Sequence, residues 1–154
     1  MTKRYLVPLL VAATVVGLDA VTKRYAMTAF ADADVVVIPG FLSFTYVENP
    51  GAAFSLFQDF GQVLGVAAIV VTVIVLWSLR AARPIMEVVA FGLIIGGAVG
   101  NLIDRMTRGD GLLDGKVVDW VNLWWIPTFN IADMAVTFAV TLLLIHAWRT
   151  RQDS

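Results

Sequence analysis

Four stretches of this chain, residues 5–27, 60–79, 85–106 and 131–148, are each apolar enough and long enough to cross a bilayer as a helix. A helical span needs about 20 predominantly apolar residues, so four of them nearly exhaust a chain of 154. Hydrophobic residues make up 59% of the sequence and charged ones 15%, against roughly 45–50% and about 25% in ordinary globular chains. The expected fold class is therefore an α-helical integral membrane protein with four transmembrane helices. The first stretch has a second reading as a secretory signal peptide, because Lys3 and Arg4 precede an apolar run that lasts to Leu18. No clear small-x-small cleavage site follows directly, and the run from Asp19 to Lys23 is an odd sequence to discard.

Composition also removes chemistries. With no cysteine the chain has no disulfide, thiolate nucleophile or cysteine-held cluster. One histidine is too few for a His-rich metal site, and 11 Lys+Arg against 12 Asp+Glu make no basic surface for nucleic acid.

An even number of spans puts both termini on one side, together with the link at 80–84. That side holds Lys3, Arg4, Arg80, Arg83, Arg149 and Arg151 in short segments, whereas Lys23, Arg24, Arg105, Arg108 and Lys116 are spread more thinly over the opposite helix ends and the two longer segments beyond them. Positive charge density marks the cytoplasmic face, so we expect cytoplasmic termini and two outer segments, about 28–59 and 107–130. Ten of the 12 acidic residues, all but Glu87 and Asp153, then lie at or beyond the outer helix ends. The outer segments carry β-branched and aromatic runs at 35–38 and 41–47, flanking Pro39-Gly40, and at 117–121 after Gly115. They predict a small extracytoplasmic β-sheet, and residues 52–60 read as a short amphipathic helix on the membrane surface. No repeat, low-complexity tract or linker divides the chain, so one domain, 1–154, is expected.

Ionisable groups inside spans are costly, about 2.5–3.5 kcal/mol for a central aspartate on insertion scales, and each needs a reason. Asp19 and Lys23 form an i, i+4 pair in helix 1, in the favourable acidic-first order. As a purely structural pair they need no further role, since Lys23 can snorkel and neutralise its neighbour. Helix 3 carries Gly92, Gly96 and Gly100 at four-residue spacing, the pattern of close helix packing. Asn101, Asp104, Arg105 and Arg108 then share one polar face at its outer end. Asp104 and Arg108 read as a solvated ion pair, whereas Asn101 lies deeper and can both donate and accept.

Asp119 lies between Val118 and Trp120 just outside the membrane, and Asp133 follows 14 residues later at the start of helix 4. Asp133 alone is explained as an acid favoured by a helix N-terminus. Asp119 is not so explained, because a carboxylate in an apolar setting is costly unless it shares a proton or serves chemistry. Two carboxylates brought together split their pKa values, one acting as base and the other as acid. A histidine triad fails, because His146 lies 13 residues along helix 4 from Asp133, about 20 Å away. A serine/lysine dyad using Ser43 or Ser55 with Lys23 or Lys116 stays open, though no motif brackets either serine.

Five motifs occur in order: Asp-Ala-Val-Thr-Lys (19–23), Asn-Pro-Gly-Ala-Ala-Phe (49–54), Gly-Gly-Ala-Val-Gly-Asn-Leu-Ile-Asp-Arg (96–105), Val-Val-Asp-Trp (117–120) and Phe-Asn-Ile-Ala-Asp (129–133). Over its whole length the chain resembles lipoprotein signal peptidase, or signal peptidase II, the bacterial inner-membrane aspartyl protease family. One position differs conservatively: Trp120 stands where the family often has phenylalanine after its first catalytic aspartate.

The resemblance implies an aspartic endopeptidase whose dyad is Asp119 and Asp133. It would cut diacylglyceryl-modified prolipoproteins just before the lipidated cysteine, with no cofactor or metal and with globomycin-type inhibitors in the same site. It also implies a β-cradle and a surface helix over an active site at the outer face. By motif, Asp19, Lys23, Asn49, Gly51, Asn101, Asp104, Arg105 and Asn130 support the dyad or the substrate. Asn130 and Asn49 are the candidates for hydrogen-bonding them, and Asp19 with Lys23 for holding the geometry. We expect a monomer whose partners are its substrates and membrane lipid. An alternative class, an ion carrier relaying through Asp19, Asp104 and Asp133, lacks a mid-span acid on helices 2 and 4. A purely structural subunit leaves Asp119 and Asn101 without a purpose.

Overall fold

The computed structural model describes residues 3–51 and 61–152; the surface helix expected at 52–60 lies outside the described residues. Four helices run through the chain: α1 (Lys3–Ala29), α2 (Gly61–Ser78), α3 (Ile85–Thr107) and α4 (Ile131–Gln152). All four are long and apolar enough to cross a membrane. Only 17% to 33% of the residues in each span are buried within the protein, so most of the apolar surface faces lipid. The expected boundaries hold to within two residues, except that α4 runs on to Gln152. Its last turn carries Arg149 and Arg151, cations that suit a helix C-terminus.

Helix α3 is the hub, packing against α1, α4 and α2. Its glycines let backbones touch. A Cβ on Gly92 would lie 2.7 Å from the Pro8 carbonyl oxygen, and one on Gly96 would lie 2.6 Å from the Val15 Cβ, both on α1. Gly97 turns the other way, where a Cβ would meet the Ala132 carbonyl oxygen of α4 at 2.5 Å. At the end away from the sheet, Ala12, Val75, Leu79 and Ile95 form a buried cluster joining α1, α2 and α3.

Between the helices the chain builds one antiparallel sheet in the order β1 (Val35–Ile38), β2 (Leu42–Asn49), β3 (Val117–Leu123), β4 (Ile126–Phe129). One hairpin follows α1 and the other precedes α4, so the β2–β3 seam joins the two outer segments. Strand β4 is missing from the sequence reading because Pro127 marks a turn rather than a strand. It is tolerated because β4 is an edge strand with a register shift: Val121 pairs Phe129 and Leu123 pairs Ile126, leaving Pro127 and Thr128 against Asn122. An aromatic series docks the sheet onto α1: Tyr25 on Phe30 at 5.7 Å, Phe30 on Phe44 at 5.7 Å, and Phe44 on Trp120 at 5.4 Å between centroids. The buried indole Nε1 of Trp120 has no hydrogen-bond partner among the described residues, so this ring contributes packing that phenylalanine could also supply.

Candidate active site

The β2–β3 register sets Val47 opposite Asp119 and Asn49 opposite Val117. The Asn49 amide thereby donates to Asp119 Oδ2 at 2.9 Å. From the other side Asn130 donates to Asp119 Oδ1 at 2.7 Å. Asp119 is 3% exposed. Burial pushes its carboxyl up to about 7 and nearby Asp133 adds to the rise, while the amides of Asn49 and Asn130 and the Lys23 ammonium oppose it.

Asn130 is also the N-cap of α4. Its Oδ1 accepts from the Asp133 N–H at 3.0 Å, and Asp133 Oδ2 accepts from the Asn130 N–H at 3.1 Å, a reciprocal capping box. The helix-terminus explanation of Asp133 and its pairing with Asp119 are therefore realised together. One residue, Asn130, bonds both acids: its side-chain amide donates to the Asp119 carboxylate and its backbone N–H to that of Asp133. Asn101 completes the ring by donating to Asp133 Oδ1 at 2.9 Å.

Beneath the ring lies a buried polar network. The Lys23 ammonium, 2% exposed, meets Asp19 Oδ2 at 2.7 Å, Asp104 Oδ2 at 2.8 Å and Asn101 Oδ1 at 2.9 Å. Three donors and three acceptors leave nothing unpaired, the condition on which a buried charge persists. Because Asn101 Oδ1 accepts from both Lys23 and Asn130, its amide nitrogen is forced towards Asp133. Lys23 does not snorkel; it points inward. Asp104 likewise corrects the solvated-pair reading. It does bind Arg108 at 2.7 Å, but it is 4% exposed and also accepts from the Val118 N–H at 3.2 Å, tying β3 to α3.

Arg105, grouped with the site by motif, touches neither aspartate through any hydrogen bond. Its guanidinium donates to the carbonyls of Gly115 at 3.2 Å and of Pro50 and Gly51 at 3.4 Å. It clamps the segment that carries Asn49, and Gly115 must be small: a Cβ there would lie 2.5 Å from the Asp104 carbonyl oxygen. Gly51 also donates its N–H to Asn49 Oδ1 at 3.0 Å, orienting that amide towards Asp119. Of the eight supporting residues of the sequence reading, Asn49, Asn101 and Asn130 bond the acids directly, whereas Asp19, Lys23, Gly51, Asp104 and Arg105 bond the asparagines or the backbone around them. What that reading missed are backbone partners, the N–H groups of Val118 and Ala132, which carry no side-chain signal.

Among the described residues no serine/lysine pair forms. Ser43 Oγ accepts from Asn122 at 3.3 Å, Lys23 is held by Asp19 and Asp104, and Lys116 pairs with Glu48 at 3.2 Å; Ser55 lies outside the described residues. His146 is at the other end of α4, 3.3 Å from Glu87. Among the described residues no group of three His, Cys, Asp or Glu side chains is arranged to hold a metal ion.

The two acids open onto a cavity of about 850 Å³, within the size range of ligand sites. Its polar lining includes Asn49, Asn101, Arg105, Asp119 and Asp133; its apolar lining includes Leu64 and Ala68 of α2, Leu102 of α3, and Val136 and Phe138 of α4. A site with a few convergent polar groups in an apolar lining can hold an extended polar chain joined to a greasy one.

These features define a multi-pass membrane protein with a paired-carboxylate site under a small sheet. The family model for signal peptidase (SPase) II matches residues 11–149. A lipoprotein signal peptidase of Mycobacterium avium (strain 104) is 41% identical over 136 residues, 88% of this chain and 75% of that one. One of Chlorobium phaeovibrioides (strain DSM 265 / 1930) is 38% identical over 153 residues, 92% of this chain and 89% of that one. A solved bacterial membrane enzyme superposes with a TM-score of 0.84 at 29% identity, covering 96% of this chain and 90% of that one. A second gives 0.76 at 31% identity, covering 91% of each. The chain belongs to the signal peptidase II family.

Proposed function

We propose that this protein is a membrane-embedded aspartic endopeptidase, a single-domain monomer that removes the signal peptide from diacylglyceryl-modified prolipoproteins. It cuts just before the lipidated cysteine. The observation that carries this reading is the convergence of the Asp119 and Asp133 carboxylates, from a strand and a helix, on one residue, Asn130, whose side-chain amide bonds the first and whose backbone N–H bonds the second, with both acids lining one largely apolar cavity.

The chemistry divides between the two acids. Asp119, protonated up to about pH 7, hydrogen-bonds the scissile carbonyl oxygen and passes its proton to it. Asp133 takes a proton from a water held between the acids, and the hydroxide attacks the carbonyl carbon. The tetrahedral intermediate collapses as Asp133 returns its proton to the cysteine nitrogen, the C–N bond breaks, and the diol proton goes back to Asp119. Asn49, Asn101 and Asn130 fix both acids without themselves titrating, so little rearrangement is needed at the moment of reaction. The acyl chains and the apolar signal segment lie on the apolar lining and in lipid, which orients the bond at the two acids.

The protein resides in the bacterial inner membrane with cytoplasmic termini, on the charge-density argument, which puts the sheet and the dyad at the outer face; globomycin-type inhibitors bind in the same cavity. Conversion of a diacylglyceryl-modified prolipoprotein by purified protein in detergent, read as a mobility shift, tests the mechanism. Wild type cleaves, and Asp119→Asn and Asp133→Asn, folded by thermal unfolding, lose activity by at least about 10³-fold. Normal cleavage by both variants refutes the dyad.

A further inference from the structure

The two hairpin segments, residues 35–47 and 117–130, contain one charged residue between them, Asp119, and it is buried. Charge crowds the flanks instead: Asp32, Asp34 and Glu48 around the first, and Asp110, Asp114 and Lys116 before the second. These uncharged hairpins nonetheless uncover apolar side chains. Every residue of β1 is exposed, Val36 to 62%, and at the tips Phe41 is 47%, Trp124 68% and Trp125 67% exposed. The tips are joined, the Trp124 N–H donating to the Phe41 carbonyl at 2.8 Å. Trp124 holds a φ of +48°, a left-handed conformation that is unfavourable for a bulky residue. A water-facing sheet gains nothing from presenting two indoles this way.

The placement of the tips supplies the reason. Trp125 and Ile126 line the same cavity as Thr137 and Phe138, which lie one turn or more into α4 from Asp133, about 6–8 Å along its axis. A sheet standing upright from the bundle would carry its tips away from that apolar flank. The second tip instead shares a cavity wall with the first turns of α4. On the opposite side the exposed Tyr25 of α1 packs edge-on against Phe30, which meets Phe44, the register partner of Val35 in β1. Strand β1 thus continues the lipid-facing surface of α1.

We propose that β1 and the two hairpin tips form a membrane-docking surface whose occupant is the bilayer itself, lying in the interfacial layer at the sheet end of the bundle. Tryptophan rings favour that layer, with an apolar body and a polar edge. The edge of β1 sets the depth: its outer backbone groups, which no strand among the described residues pairs, need headgroups or water and cannot go deeper. Docked so, the sheet holds Asp119 at a fixed height relative to the lipid surface. The inference rests on the membrane fold alone and not on the peptidase reading.

The chain has no cysteine, so single cysteines can be introduced at Val36 and Trp124 and carry nitroxide labels. The full-length protein in phosphatidylethanolamine/phosphatidylglycerol vesicles is then compared for label accessibility to oxygen and to a water-soluble nickel chelate. Val66 of α2, 52% exposed, serves as the lipid reference and Asp110 as the aqueous one. Labels at Val36 and Trp124 should show an oxygen-to-nickel ratio several-fold above that at Asp110 and approaching that at Val66. A ratio equal to that at Asp110 overturns the proposal, and shielding from both reagents overturns it in favour of a second protein copy. Should Trp124→Cys fail to fold, Phe41→Cys probes the same tip. In addition, brominated-phospholipid quenching of wild-type fluorescence must exceed that of Trp124→Phe; equal quenching counts against lipid contact.

Discussion

The carboxylate of Asp19, in the middle of α1, accepts a hydrogen bond at 3.0 Å from the backbone N–H of Ala132, the second residue of α4. It is an N-cap supplied by another helix. Of the amides that α4 leaves open at its start, one goes to Asp19 and the next, that of Asp133, to Asn130. Asp19 therefore fixes the backbone on which one of the two candidate catalytic acids is carried. Replacing it with alanine removes the cap and leaves Lys23 with Asp104 as its one carboxylate partner among the described residues. We expect Asp19→Ala to lose about 3–5 kcal/mol and precursor cleavage with it, and Asp19→Asn, which keeps an acceptor, to retain more of both. Thermal unfolding in detergent beside a cleavage assay distinguishes the two variants; equal behaviour would remove Asp19 from this role.

Lys23 neutralises two buried carboxylates at once. Among the described residues Lys23→Met leaves Asp19 with no cation and Asp104 with Arg108 alone, again at a cost of about 3–5 kcal/mol. The double variant Lys23→Met, Asp19→Asn should recover part of that loss, because the stranded charge of Asp19 goes with its partner. A double-mutant cycle on unfolding free energies reads the coupling, and strict additivity would contradict the shared network.

Backbone contact between α3 and α4 predicts that Gly97 tolerates no side chain. Gly97→Ala would place a Cβ 2.5 Å from the Ala132 carbonyl oxygen and 2.7 Å from Val136 Cγ2, pushing α4 and Asp133 away from Asp119. Overpacking of this kind costs about 1–3 kcal/mol, and activity should fall further than stability. Gly17→Ala, with nothing within 4 Å of its Cβ, is the control and should leave both within error of wild type.

The elevated carboxyl of Asp119 makes both stability and activity depend on pH. Its proton is held up to about 7 in the folded protein against an ordinary value of 3.8, so the folded state binds more protons than the unfolded state between those limits. Stability from this group is complete below about pH 4 and is lost as pH rises through about 7. Unfolding temperatures of wild type should decline over that window relative to Asp119→Asn, in which the dependence is absent. If Asp119 donates the proton in catalysis, kcat/KM declines as pH rises above about 7; a profile that climbs through pH 7 and stays flat beyond it would reverse the assignment of acid and base.

Much of this was legible in the chain itself. Apolar length dictates four spans because a backbone in hydrocarbon must satisfy its hydrogen bonds internally, and β-branched runs between breakers located three of the four strands. The Gly92, Gly96, Gly100 spacing announced close packing for the same reason. The site was legible only as an inventory: each polar residue inside or beside a span was conspicuous by its cost. Strand β4 was not legible, because Pro127 is compatible with a strand only at an unpaired, shifted edge.

By itself, then, the sequence determined the membrane class, the helix count and the identity of the polar residues needing a partner, since each follows from local length, periodicity and solvation cost. Tertiary structure alone decided which partner each one received. Nothing in residues 19–23 says that their carboxylate caps a helix beginning at 131. Nothing in residues 101–105 says that Asn101 turns to Asp133 while Arg105 turns to loop carbonyls. Those choices depend on the rotation of four helices about one another and on the β2–β3 register, which are set by glycine contacts and cross-strand pairs far apart in the chain. Hydrogen-bond direction is a property of the assembled ring: the Lys23 ammonium can only donate and a carboxylate only accept, and the asparagine amides between them take the one orientation that satisfies all.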